Sequence, residues 1–403
     1  MRVATHQDLA RALEQTRRRT LGLIEAWCEA LPSLRVPQDP ALNLPLWEWG
    51  HVGWFQAWWI GRNRQRALGV RADPDHVRDA PLRADADALY DSSRVPHASR
   101  WSLDLPDRAQ TLADLERTQE QTLSLLARDG AAGMDLYFWH LVLAHEAMHN
   151  EASVYMAQAL GLPVPARWAV GDGDGKAGSH GAQMPPQPSV QPDSWHVPPQ
   201  EFVLGHQGPG FCFDNELGAH VVSLPAFEID AQPVSWSRYL AFVEDTGHRL
   251  PKDLERRDGV WMQRVFGQWK PLRLEAAASF LGADDAQAWC DWAGRALPSE
   301  AQWEAAARSA PAGAFRWGEV WEWTSSVFMP YPGFEPHPYR DYSAPWFGTH
   351  RVLRGASRWT EPHLVCPSYR NFFLPQRRDI PAGFRSVSIQ SPSAGAQNTA
   401  KRA

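Results

Sequence analysis

Residues 139–161 read WHLVLAHEAMHNEASVYMAQALG, and the spacing within this run decides the fold of the first part of the chain. Leu141, Leu143, Ala144, Ala147, Met148, Val154 and Met156 follow a helical period. Gly161, with Pro163 just beyond, supplies a stop. The pattern predicts one helix over 135–160. On it His145 and His149 are four residues apart and project from one face. Two imidazoles so placed can share a divalent metal while neighbouring groups hold their other ring nitrogens. The same pair can also be an ordinary core residue and an edge residue. Glu146 completes the zinc-peptidase pattern H-E-x-x-H, in which the Glu is the general base. That pattern is incomplete here. Ala152 and Tyr155 stand where one continuation needs Gly and His, and a Gly/Pro-rich stretch follows.

Working outward, residues 6–31, 45–61 and 108–128 give three more amphipathic or apolar helices. Four long helices predict an up-and-down bundle, whose metal sites are built from inward side chains of facing helices. His51 lies in the middle of the second, among Trp47, Trp49, Trp54 and Phe55, and is the candidate third ligand beside His145 and His149. Residues 166–200 read as a Gly/Pro-rich linker, and the tail 391–403 as low-complexity and disordered. Between them, 201–390 carries short strands (FVLG, HVVSLPAFEID) and helices over 235–247 and 297–310. Beyond 315 a Trp/Tyr/Gly/Pro-rich stretch predicts a loop-built binding surface.

A chain of 403 residues accommodates two domains. A net charge of −6 with no basic stripe argues against nucleic acid as partner. No apolar run approaches the roughly 18 residues of a membrane span, and the first residues carry no apolar targeting segment. Cys28, Cys212, Cys290 and Cys366 are far apart without a C-x-x-C, which fits the reducing cytoplasm. Tryptophan is abundant, 21 against 8 tyrosines. Most of these belong in a core, but some could wall a quaternary ammonium ligand.

Several strings occur in order in the second half: FEIDAQPVSWSRYLAFVEDTG, ALPSEAQWEAAAR, VWEWTSS, RVLRGAS and AGFR. Together they resemble the formylglycine-generating-enzyme-like fold, a relative of the C-type lectin domain. The first 165 residues resemble a DinB-type four-helix bundle. The pairing, an α domain followed by an α+β domain, resembles the ergothioneine-biosynthesis sulfoxide synthases over residues 1 to about 390. Those are non-haem iron(II) enzymes that use O₂ to join a sulfur donor to the imidazole C2 of hercynine (trimethylhistidine).

The resemblance implies that His51, His145 and His149 bind Fe(II), with Glu151 supporting them. It implies that Asn371 and Phe372 contact hercynine and that Arg377 holds the donor's carboxylate. It makes Tyr339 and Tyr342 the catalytic tyrosine pair, one phenol donating a proton to reduced oxygen. Cys366 fills one slot of the formylglycine-generating cysteine pair, but Asn371 fills the other, which leaves Cys366 an ordinary thiol.

Two positions depart from the family pattern. Met148 replaces a substrate-bonding Gln, and Phe373 replaces a polar residue that some members use for the amino group of γ-glutamylcysteine. Residues 90–106, YDSSRVPHASRWSLDLP, resemble a signature of the selenoneine synthase branch, which joins hercynine to a selenosugar. Ser92, Ser93, Arg94, His97 and Arg100 are then candidates for a sugar pocket; the alternative is a solvated loop between helices. The implied partners are hercynine, O₂ and either a selenosugar or a thiol donor. A zinc peptidase and a non-catalytic lectin-like module remain as readings from other classes.

Overall fold

Thr5 opens the first helix of the computed structural model, which describes residues 2–169 and 194–388. The Thr5 hydroxyl accepts from the Asp8 N–H at 3.1 Å while Asp8 accepts from the Thr5 N–H, and α1 runs from this cap over His6–Ala30. Pro45 presets the first turn of α2 (Pro45–Gln56), which continues as a wider turn over Ala57–Gly61. Asp107 accepts from the Gln110 N–H at 2.8 Å to start α3 (Arg108–Ala131). Finally α4 (Tyr137–Leu160) ends at Gly161, whose φ of 71° is the left-handed conformation that favours glycine.

Contacts of α1 with α3 and α4, and of α2 with α3 and α4, close the four helices into a bundle. Leu9, Leu13, Phe55, Leu126, Phe138 and Leu141 lie in its core. The guanidinium of Arg17 binds all the helices together. From α1 it donates to Glu146 of α4 (2.7 and 3.0 Å), to Gln56 of α2 (2.8 Å) and to the Leu115 carbonyl of α3 (2.7 Å).

The second part begins earlier than the composition suggests. Strand β1 (Ser194–Val197) falls inside the expected 166–200 linker and pairs antiparallel with β4 (Phe227–Asp230), because Val197, Phe227 and Ile229 bury their side chains; β13 (Val387–Ser388) and β8 (Arg295–Ala296) complete that sheet. A short helix over Ala166–Ala169 also falls inside that linker, while residues 170–193 and the 391–403 tail lie outside the described residues. Strands β2 (Gln200–Leu204) and β3 (His220–Leu224) form a hairpin; β5 (Leu254–Arg257), β6 (Val260–Val265) and β7 (Gln268–Pro271) form a meander. Helix α7 (Glu300–Ser309) packs on β1, β2 and β3, and α5 (Trp236–Thr246) packs on α6 (Ala283–Trp292).

The stretch beyond 315 is not only loops. It holds a four-stranded sheet in the order β11 (Asn371–Phe373), β10 (Arg351–Gly355), β9 (Trp321–Val327), β12 (Ala382–Phe384). In β9 Trp321, Glu322, Trp323 and Thr324 are all buried in succession, so the strand shows no polar/apolar alternation.

Three buried ion pairs explain why the strings in this half are so specific. Arg385 of AGFR pairs with Glu322 of VWEWTSS at 2.7 Å. Arg370 donates to both oxygens of Glu300 at 2.9 and 3.0 Å. Arg354 of RVLRGAS pairs with Glu304. A charge buried this deeply must keep its partner. The two parts share one apolar cluster running from Leu9 and Phe138 to Trp323 and Phe384. Glu361 crosses between them, accepting from Thr16 (2.6 Å) and Asn150 (3.0 Å). No helix among the described residues is long and apolar enough to cross a membrane.

Candidate metal centre and substrate cavity

Helix α2 presents His51, and α4 presents His145 and His149 one turn apart, so the three imidazoles meet where these helices face each other. Ligand nitrogens of the three lie within 4.8 Å of one another. The Nε2 atom of His145 is 3.2 Å from Nε2 of His51 and 3.2 Å from Nε2 of His149.

Two of the rings are held by their other nitrogen. His51 Nδ1 donates to the Tyr90 carbonyl at 2.8 Å, and His149 Nδ1 donates to the Glu48 carboxylate. Each bond places the proton on Nδ1 and leaves the Nε2 lone pair facing the centre. Stacking fixes the ring planes. Phe55 lies 3.6 Å from the His145 ring centroid at 3°, and Trp47 lies 4.7 Å from that of His51 at 11°.

Electrostatics favour neutral ligands. Burial pushes His51 down to about 3, with the neighbouring His149 adding to it. Burial, then His149 and His51, hold His145 well below the usual histidine value. Burial alone would raise the Glu48 carboxyl, but the His149 imidazole facing it outweighs this and holds it well below the usual range. Burial keeps His51 and His145 neutral, and three convergent imidazole nitrogens suit a divalent transition metal, iron(II) included.

This arrangement carries a stability prediction. The unfolded chain protonates His51 and His145 near 6.5, whereas in the folded, metal-stripped site both resist protonation, His51 down to about 3. Stability of the metal-stripped protein is therefore lost as pH falls below 6.5, the unfolded state binding more protons. Thermal melts at pH 7 and pH 5 should show a lower Tm at pH 5. An unchanged Tm would mean that the histidines are not held neutral.

Next to His149, a cavity of ≈ 310 Å³ opens between the bundle and the second part. Met148, His149 and Tyr155 line it from α4, and Trp321, Tyr369 and Asn371 from the opposite side. The sulfatase-modifying factor enzyme 1-like domain family matches residues 181–319 and 316–389, the half that supplies this far wall. A hercynine oxygenase of Mycolicibacterium thermoresistibile is 31% identical over 94% of this chain and 94% of its own.

The chain belongs to the hercynine oxygenase family.

A second such oxygenase, from Mycolicibacterium smegmatis, is 29% identical over 94% of this chain and 98% of its own. The formylglycine-generating enzyme of Streptomyces coelicolor is 28% identical over 48% of this chain and 87% of its own, a match to half the molecule only.

In this member of the hercynine oxygenase family, the residues singled out from the sequence separate into two groups. Met148, Asn371, Phe373, Arg377 and His97 all line the cavity. Tyr339 packs beside the triad, its ring 4.9 Å from Phe55 and 6.4 Å from His145, and burial raises its phenol so that it keeps its proton. The others lie elsewhere. Phe372 points to the opposite face of β11 from Asn371 and Phe373 and stacks on Phe328 at 4.1 Å, as strand alternation requires. Tyr342 is buried against Phe213 at 4.1 Å and stands behind the cavity wall, its hydroxyl 3.2 Å from that of Tyr369. Arg94 is exposed and pairs with Asp91 at 3.3 Å. Arg100 lies 3.6 Å over the Trp47 ring, behind the triad. Ser93 bonds Asp91 at 2.6 Å within its own turn.

Glu151 does not touch the triad's outer nitrogens. It accepts from Trp321 Nε1 (2.8 Å) and Thr360 (3.0 Å), tying α4 to the far wall of the cavity. Glu146 is likewise occupied, by Arg17 and by Thr20 at 2.6 Å. A peptidase base would have to be free beside the metal, so the H-E-x-x-H match is structural. Sequence reasoning missed four participants: Glu48, the Tyr90 carbonyl, Trp321 and Tyr369. Only Glu48 left a signal, an acid three residues before His51 on the same helix face.

Proposed function

We propose that this chain is a ferrous-iron enzyme that uses O₂ to form a carbon–selenium bond between the imidazole C2 of hercynine and a selenosugar, a selenoneine synthase. On this reading His51, His145 and His149 hold the iron. The helical half is a DinB-like bundle over 1–165, and the enzyme works in the cytoplasm, for which the four free cysteines are the support. Bound iron supplies the redox chemistry that lets O₂ oxidise the donor and the imidazole carbon together. The residues do the rest. The Asn371 amide and the aromatic faces of Trp321, Tyr369 and Phe373 offer hercynine a hydrogen-bonding group and a wall for its trimethylammonium. Tyr339, kept protonated by burial beside His145, is the proton donor.

The observation that carries the donor choice is the state of Arg377. It is the one guanidinium or ammonium group among the described residues lining the cavity. It already forms a two-pronged pair with Asp379 at 2.6 and 2.5 Å, and it lies 5.1 Å over the Phe373 ring. A zwitterionic peptide would bring a carboxylate and an ammonium to a wall whose cation is spent and whose other face is phenyl. A sugar asks only for neutral hydrogen-bonding groups and an aromatic surface. Family membership favours the alternative, an ergothioneine-type sulfoxide synthase taking cysteine or γ-glutamylcysteine.

The test compares kcat/KM for 1-selenoglucose and γ-glutamylcysteine with iron-loaded enzyme, hercynine and O₂. At least about a tenfold preference for the selenosugar is expected, the least that one buried group left without its partner costs. A preference for γ-glutamylcysteine would move the enzyme to the thiol branch.

A further inference from the structure

We infer that Glu48 is a positioning residue for the metal centre: its carboxylate fixes the tautomer and angle of His149, and no neutral side chain can replace it while Asn43 donates to its other oxygen. This rests on the reading of the three histidines as metal ligands. Among these, His149 is the ring with an open edge, 22% exposed toward the cavity, and so the one least fixed by packing. Helix α2 compensates. Glu48 and His51 are three residues apart on it, so one helix face carries both a ligand and the brace of a ligand from another helix.

The requirement for a carboxylate follows from what surrounds it. Asn43 Oδ1 accepts from the Leu44 N–H at 3.2 Å, which turns the Asn43 amide nitrogen toward Glu48, where it donates to Oε1. His149 Nδ1 donates to Oε2. Both neighbours of Glu48 are donors, so both of its oxygens must accept. Glutamine has one oxygen and one NH₂. If its oxygen faces His149, its NH₂ meets the Asn43 NH₂. If its NH₂ faces His149, Nδ1 must become the acceptor, the proton moves to Nε2, and the lone pair that would bind metal is lost. Outer partners of metal-binding histidines act in this way on affinity.

The experiment titrates the metal-stripped full-length protein with Co(II), following the visible d–d bands, in wild type, Glu48→Gln, and a double variant that adds Asn43→Asp to Glu48→Gln. The double variant restores the pattern: the carboxylate introduced on the Leu44 side accepts from the glutamine NH₂, and the glutamine oxygen accepts from His149. Glu48→Gln should weaken Co(II) binding by about 10- to 100-fold, with altered band intensity, and the double variant should recover most of the loss. Circular dichroism shows whether the single variant is folded, and recovery in the double variant separates positioning from misfolding. Wild-type affinity in Glu48→Gln, or a double variant no better than the single, overturns the inference. If wild type itself binds no Co(II), the reading of the triad as a metal site falls first and takes this inference with it.

Discussion

Replacing His145 by alanine is expected to abolish stoichiometric iron binding and bring product formation to background. Its Nε2 stands between those of His51 and His149, 3.2 Å from each, so the two remaining nitrogens lose the atom that links them into one site. The ring also lies flat against Phe55 at 3.6 Å, so alanine leaves a void whose cost is on the order of 2–4 kcal/mol. His145→Gln fills most of that void without supplying an imidazole, and it should lose the metal while keeping more of the stability. Metal analysis after anaerobic loading and desalting distinguishes the two effects. One iron per chain in either variant would show that the triad is not the metal centre.

Arg17→Ala is expected to destabilise the protein by about 3–5 kcal/mol, the cost of removing one partner of a buried pair. Glu146 is 2% exposed, and Arg17 meets both its oxygens while also holding Gln56 and the Leu115 carbonyl. Without the guanidinium, a carboxylate stays buried one residue from His145. Denaturant midpoints of the metal-stripped proteins measure this directly. A loss below about 1 kcal/mol, the scale of an exposed pair, would mean that Glu146 is solvated or protonated and that its role as structural anchor is misread.

The bundle was legible because each of its helices carries an apolar period and Gly161 closes the last; the caps Thr5 and Asp107 act in the structure but were not needed to find the helices. His51 could be joined to His145 and His149 only because that pair stood one turn apart on another helix of the same bundle; alone, a histidine among tryptophans reads as core. The sheet beyond 315 was illegible for the opposite reason. Its strands are three to seven residues long, and β9 is buried on both faces, which erases the period of two.

The site showed the same division. Residues that touch the cavity through side chains on regular elements, Met148, Asn371 and Phe373, could be placed from the resemblance. Phe372 could not, because a strand sends neighbours to opposite faces and the strand itself was not recognised. The supports of the triad were hidden. The Tyr90 carbonyl is backbone and carries no residue signature, and Glu48 in the first turn of α2 passes for an ordinary partner of the helix dipole. Arg94 and Arg100 misled because a Ser/Arg-rich segment looks the same whether it lines a pocket or faces solvent. The part of that segment that braces the triad is where it begins, at the Tyr90 carbonyl, and His97 is the candidate from it that lines the cavity.

The most direct measurement is the mass spectrum of products from hercynine, O₂, 1-selenoglucose and γ-glutamylcysteine in one vessel, with iron-loaded enzyme in one arm and metal-stripped enzyme in the other. A hercynine–selenosugar adduct in the iron arm alone is the expected result. No hercynine adduct with either donor in the presence of iron would contradict the assignment of the triad and its cavity as the site of this chemistry.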